Sequence, residues 1–203
     1  RGRERSRSID GIVNEVKNVI NDGFTEVTLL GQNVNSYNYK GQKFTELLEN
    51  VAKVKGLKRL RYTSPHPQDI NIELLKIMAK YDNICNYVHL PLQSGSNNIL
   101  KRMNRTYTKE HFIEIANTIR EILPNAGIST DIIVGFPGES EDDFNDTISV
   151  MEEVKFDSAY TFKYSVRKGT KASEYDDHIN GKVKQRRLEK IIALQKSHTI
   201  YRN

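Results

Sequence analysis

Three polar residues, lying within or beyond apolar runs, could do chemistry together. Gln93 follows YVHLPL (87–92), Arg105 lies in KRMNRTYT twelve residues later, and Asp131 sits within GISTDIIVG (127–135). A guanidinium matches a carboxylate bidentately. A carboxamide can hold a ribose hydroxyl; a helix cap and a surface arginine are the plainer alternative for Gln93 and Arg105. A carboxylate within a buried strand needs a partner; a ribose diol serves, and so does a backbone amide. A fourth feature is GFPGESEDDF (135–144). Gly135 and Gly138, either side of Phe136 and Pro137, let a ligand approach the backbone closely. Ser140 and Asp143 have the spacing of a capping box. Four carboxylates there, Glu139, Glu141, Asp142 and Asp143, disfavour a phosphate. A flat neutral group such as an adenine fits, as does an ordinary tight turn.

Other chemistries find less support. His66 lies between two prolines and His89 alternates with apolar neighbours, neither with a second ligand at metal spacing. Cys85 is the one cysteine, which excludes an internal disulfide framework and makes a reducing cytoplasm the expected setting. No phosphate-binding Walker loop, serine elbow or catalytic carboxylate pair is present.

Five β-rich runs must position these residues: EVTLLG (26–31), RLRYT (59–63), YVHLPL, GISTDIIVG and SAYTFKYS (158–165). Helical spacing separates them, over 9–22, 44–55, 70–80, 108–123 and 140–154, and a further helix is expected over 182–200. This alternation predicts a parallel sheet with right-handed crossovers. Continuous apolar runs predict strands buried on both faces. A doubly wound sheet and a barrel both satisfy the pattern. The residues after each strand are rich in Gly, Pro, Gln and Asn, and those before it are plain, which places a site at the carboxyl ends of the strands.

The charge is uneven. Net charge is +5 in 203 residues, yet residues 1–8 hold four arginines and residues 182–203 hold seven Lys or Arg against Glu189. Basic ends on a mildly acidic body suggest a polyanion held at the periphery, or solvated surface. No apolar run approaches the ~18 residues of a membrane span.

Taken in order, RGRERSR, EVTLLGQNVNSY, YTSPHP, HLPLQSGS, LKRMNRTYT, STDIIVGFPGE, FDSAYTFKYS and RRLEKIIALQ resemble the radical S-adenosylmethionine (SAM) domain of methylthiotransferases, and within it the MiaB-type enzymes that act on tRNA. The resemblance covers nearly the whole chain. It implies a partial open (β/α)6 TIM-like barrel over about residues 1–180, lacking its first strand, and a C-terminal helix over 181–203 leading toward an RNA-binding domain. It also implies that residue 1 falls just past a CxxxCxxC loop holding a 4Fe–4S cluster. This chain by itself is then expected to be inactive.

By the same resemblance, Gln93, Arg105 and Asp131 match positions that hold SAM through its ribose and carboxylate. Gln32 and Asn33 match a loop near its methionine end, and Gly135, Phe136 and Gly138 match the turn beside its adenine. The implied activity is transfer of a methylthio group to isopentenyladenosine beside the tRNA anticodon, with SAM, 4Fe–4S clusters in the parent protein and a reductant protein. Arg3, Arg5 and Arg7 are the expected contacts to tRNA phosphates. The loop YSVRKGT carries Lys168 where the family often has proline. Two alternatives are a ribosomal-protein methylthiotransferase on the same barrel and a non-catalytic RNA-binding fragment.

Overall fold

The computed structural model describes residues 5–31, 33–63 and 70–202. Arg3, Gln32 and His66 lie outside the described residues. The chain divides into two compact units, one running to His89 and including Thr118–Ala126, the other comprising Leu90–Asn117 and Gly127 onward.

In the first unit, α1 (Ile9–Asn21) starts where Ser8 accepts the Gly11 N–H. It leads into β1 (Glu26–Leu29), which pairs in parallel with β4 (Arg59–Tyr62) from Glu26 opposite Arg59 to Leu29 opposite Tyr62. Glu26 bridges both arginines of β4, at 2.5 Å to Arg59 and 2.7 Å to Arg61. Between the strands run a hairpin, β2 (Asn38–Tyr39) and β3 (Gln42–Lys43), and α2 (Phe44–Ala52). The sequence pattern does not foretell the hairpin, because two-residue strands leave no periodicity to read. α3 (Ile72–Lys80) begins on an Asn71 cap and leads toward β5 (Tyr87–His89). On the way the chain at Ile84 bridges Leu60 in parallel. Leu48, Val51, Leu60, Leu74, Leu75 and Ile84 form the dry interior, each 2% exposed or less. Asn83 ties the chain beyond α2 by donating to Ala52 O and Leu57 O.

In the second unit, the chain Leu90–Gln93 runs beside β6 (Gly127–Val134), with Leu90 N–H on Ser129 O and Gln93 N–H on Asp131 O. α4 (Asn97–Arg102) and α5 (Lys109–Ile122, through Asn117 in this unit) follow, then α6 (Glu141–Val154), β7 (Ser158–Lys163) and α7 (Gly181–Arg202). β6 and β7 pair in parallel over six rows. The expected capping box forms: Ser140 accepts the Asp143 N–H, and Asp143 accepts the Ser140 N–H. Phe112 and Phe156 meet edge to face at 6.1 Å in the core.

The fold class is therefore α/β with parallel strands, as expected. Burial differs from expectation at every strand run but one. β6 is largely buried, but β4 and β5 alternate between buried and exposed residues, and β1 and β7 are half-exposed. Each hydrogen-bonds to one neighbour only among the described residues, β1 to β4 and β7 to β6. Their apolar composition suits a buried strand, yet in this chain neither is covered on both faces.

Candidate cofactor site

Backbone pairing places Gln93 and Asp131 together. Gln93 N–H donates to Asp131 O at 2.8 Å, and Ile133 N–H donates to Gln93 O at 2.9 Å. Arg105 arrives by a different route. α4 ends with Asn104 in the left-handed region, and Arg105 N–H returns to Leu100 O at 2.8 Å, a helix C-terminal turn that redirects the chain. Tyr107, two residues on, is buried. Burial pushes its hydroxyl up to about 12, with the Arg105 charge pulling it down and the Asp131 charge pushing it up. Both charges therefore act on one hydroxyl. Of the three residues, Arg105 is exposed, Asp131 half-buried and Gln93 8% exposed. Among the described residues the Gln93 carboxamide makes no hydrogen bond.

The face around Asp131 carries aromatic surface. Tyr160 lies level with Asp131, and Phe162 with Ile133. Residues in register on paired strands point to the same face. Both rings are more than half exposed, 57% and 52%.

The turn Gly135–Gly138 is bound into the chain itself. Gly135 N–H donates to the Glu139 carboxylate at 2.7 Å and Gly138 N–H to Asp177 O at 2.9 Å. Both glycines have positive φ, 71° and 79°. A Cβ at Gly135 would run into Lys184, and one at Gly138 would meet Asp177. Phe136 is buried against Tyr164 at 5.0 Å and Tyr175 at 6.3 Å. The amides of Gly135 and Gly138 are thus engaged within the chain, and the close approach is made by its own side chains. Carbonyls and the van der Waals surface of the turn are what it can offer a flat ring.

Asn33, Arg5 and Arg7 belong to the first unit. They line a cleft of about 650 Å³ with Val16, Val27 and Phe44. Arg7 reaches Glu15 at 2.5 Å, with both side chains exposed. The segment is tied down by Tyr37, whose hydroxyl donates to Arg7 O at 2.6 Å, and by Ser6, which accepts the Asn38 N–H at 3.1 Å. Only part of the basic C-terminal run is available to a polyanion. Arg187 is 4% exposed and bonds Glu139 and Glu141, and Arg186 also reaches Glu141.

Two residues escape the sequence reading. Tyr107 looks like an ordinary aromatic ahead of a helix; the polar residues flanking it in NRTYT are the available signal. Glu139 looks like one of four equivalent acids, and nothing local marks it as the buried one. An iron–sulfur cluster needs several thiolates. This chain has one cysteine, and among the described residues no three His, Cys, Asp or Glu side chains gather, so the residues here supply no cluster ligand set.

The signature of the Radical SAM superfamily matches residues 1–151. The chain belongs to the radical SAM superfamily. This radical SAM chain is 47% identical over 197 residues to tRNA-2-methylthio-N(6)-dimethylallyladenosine synthase of Clostridium botulinum (strain Okra / Type B1), covering 96% of this chain and 44% of that protein. It is 47% identical over 206 residues to the Natranaerobius thermophilus protein of the same name, covering 100% and 46%. The chain thus spans less than half the length of these curated relatives. Among solved structures, it is similar to the radical SAM methyltransferase TsrM from Kitasatospora setae, whose structure has cobalamin and a [4Fe-4S] cluster bound (TM-score 0.61, 13% identity, 77% of this chain and 31% of that one). It is also similar to methylornithine synthase PylB (TM-score 0.58, 15% identity, 96% and 56%). At such identities the likeness is one of fold, and it is the radical SAM α/β fold. No described helix is long and apolar enough to cross a membrane.

Proposed function

We propose that this chain is the core of a tRNA methylthiotransferase, which adds a methylthio group to isopentenyladenosine beside the anticodon. The observation that carries the reading is the 47% identity along 96% of the chain to an enzyme of that name. The whole protein, with its cluster ligands and a reductant partner, performs the reaction in the cytoplasm. This chain supplies the SAM-holding surface and part of the RNA contact.

The second unit fits SAM. Gln93 brings a carboxamide with no protein partner among the described residues, next to Asp131 along the backbone. These two suit ribose hydroxyls and the amino-acid end, and Arg105 suits the carboxylate. Gly135, Phe136 and Gly138 wall the adenine with carbonyls and apolar surface. When bound beside a reduced cluster, SAM supplies the radical chemistry that activates an inert C–H bond. The residues of this chain orient the reactants and exclude water. Tyr160 and Phe162, exposed on the face of Asp131, suit a purine bearing an alkyl group. Arg3, Arg5 and Arg7 contact RNA phosphates.

The test is calorimetric titration with SAM of wild type, Asp131→Ala and Arg105→Ala, with sulfur transfer by the full-length enzyme assayed on tRNA and on ribosomal protein. Saturable binding lost in both variants, with transfer to tRNA, supports the reading. Binding that both variants retain overturns the residue roles. Transfer to ribosomal protein alone overturns the substrate.

A further inference from the structure

Gln93 occupies a strained turn. Its φ is 65°, in a region that costs a non-glycine residue on the order of 1 kcal/mol or more. Ser94 N–H donates to Leu92 O at 2.8 Å, closing a three-residue γ-turn around Gln93. With positive central φ this is the rare and strained hand of that turn. Surrounding structure must therefore hold it. The strand pairing to Asp131 and Ile133 fixes the two peptides of Gln93 from one side.

Tyr107 holds it from the other. Its hydroxyl lies 3.0 Å from Pro91 O and 3.0 Å from Leu92 O. A phenol has one proton, shared here between two carbonyls as a three-centre bond. Leu92 O belongs to the peptide that precedes Gln93. Fixing that peptide plane fixes the rotation about the Gln93 N–Cα bond. The ring is itself immobilised, 4% exposed and packed on Phe112. Leu92 N–H is fixed as well, by Thr130 Oγ1 at 3.0 Å. The product of these restraints is a residue 8% exposed, next to Asp131 in the backbone pairing, whose carboxamide makes no hydrogen bond among the described residues.

We propose that Tyr107 is a positioning residue of this site, its hydroxyl holding the strained turn that presents the Gln93 carboxamide to SAM. The ligand in this statement rests on the SAM reading above; the turn does not.

Two double-mutant cycles test it. In the first, SAM affinity is measured by calorimetry for wild type, Tyr107→Phe, Gln93→Ala and the double variant. Tyr107→Phe is expected to weaken binding about tenfold, and the double variant to bind no more weakly than Gln93→Ala. Affinity within twofold of wild type for Tyr107→Phe, or fully additive losses, overturns the proposal. In the second, thermal unfolding compares Tyr107→Phe in the wild-type and Gln93→Gly backgrounds. The variant is expected to lower Tm by about 3 °C in wild type and by less than half as much in the Gln93→Gly background, because glycine holds positive φ without help. Equal drops overturn the proposal. A wild type that binds no SAM defeats the SAM reading, and the second cycle still decides whether Tyr107 holds Gln93.

Discussion

Arg187 and Glu139 form an ion pair of 2.6 Å with both side chains withdrawn from solvent, 5% and 1% exposed. The same guanidinium donates to Glu139 O at 2.9 Å and reaches Glu141 at 3.1 Å. Glu139 in turn accepts the Gly135 N–H. The C-terminal helix α7 is therefore bolted to the turn that follows β6. A residue from the most basic stretch of the chain serves as interior structure.

Breaking this pair on one side leaves a buried charge alone. Arg187→Met is expected to destabilise the second unit by about 3–5 kcal/mol, and Arg187→Met with Glu139→Leu by clearly less. Urea denaturation of the variants checks this. Burial pushes the Glu139 carboxyl up, opposed by the Gly135 amide and Arg187. With its folded pKa raised, the folded state binds the proton more tightly than the unfolded one, so its contribution is full below the ordinary value of 4.5 and is lost as pH rises. Without Arg187 that loss deepens. The Arg187→Met deficit is expected to widen as pH rises from 4.5, and a pH-independent deficit would contradict the burial argument.

Glu49 responds in the opposite sense. Hydrogen bonds from Lys80, at 2.7 Å, and Tyr81, at 2.8 Å, hold its carboxyl down to about 2, with Lys53 assisting. A depressed folded pKa contributes stability above the ordinary value of 4.5 and loses it as pH falls. Thermal unfolding of Glu49→Gln should show a Tm below wild type near neutral pH. The gap should close as pH falls from 4.5 toward about 2. A constant gap would show that the contacts act without the charge.

Gly95 is set by close approach rather than by backbone conformation. A Cβ there would lie 2.5 Å from Thr147 Cα and 2.7 Å from Asp146 O, both backbone atoms of α6. The Gly95 N–H also donates to Thr147 Oγ1 at 2.9 Å. Gly95→Ala must push α6 away and is expected to cost about 1–3 kcal/mol or more. Chemical denaturation reads the cost directly, and a neutral substitution would place α6 farther off than described.

Arg5 and Arg7 differ in what already neutralises them. Arg7 is paired with Glu15, whereas no ion pair involves Arg5 among the described residues. For RNA binding by the full-length enzyme, Arg5→Ala is expected to lower the salt slope by about 1. Glu15→Gln, which releases Arg7, is expected to strengthen binding. Filter binding across a salt series measures both. Unchanged affinity and slope in both variants would make the arginines structural.

Much of the architecture is legible because its causes are local. The run from Ile9 to Ile20 repeats at helical spacing, Ser140 and Asp143 sit where a capping box requires, and each strand run is bounded by its own turn residues. These signals need no partner, and the α/β order follows from them. Gln93 is legible as a polar residue past a strand run and Asp131 as one within a strand run, but their contact is not, since it depends on the register of two segments far apart in sequence. The exposure of β1 and β7 is hidden for a related reason. An apolar strand looks the same whether or not something covers it.

The amino-acid order alone settled the helices, the parallel strands and the family, because periodicity, caps and collinear motifs are written along one dimension. Three-dimensional packing alone settled which charges lie inside and which backbone is strained. Arg186 and Arg187 are neighbours with the same side chain, yet Arg187 is buried on Glu139 and Arg186 is exposed. Gln93 and Gln195 are both buried residues, yet Gln195 bonds Phe156 O and Gln93 stands in a strained turn under Tyr107. Burial and strain are properties of what surrounds a residue, and those surroundings come from segments distant in the chain.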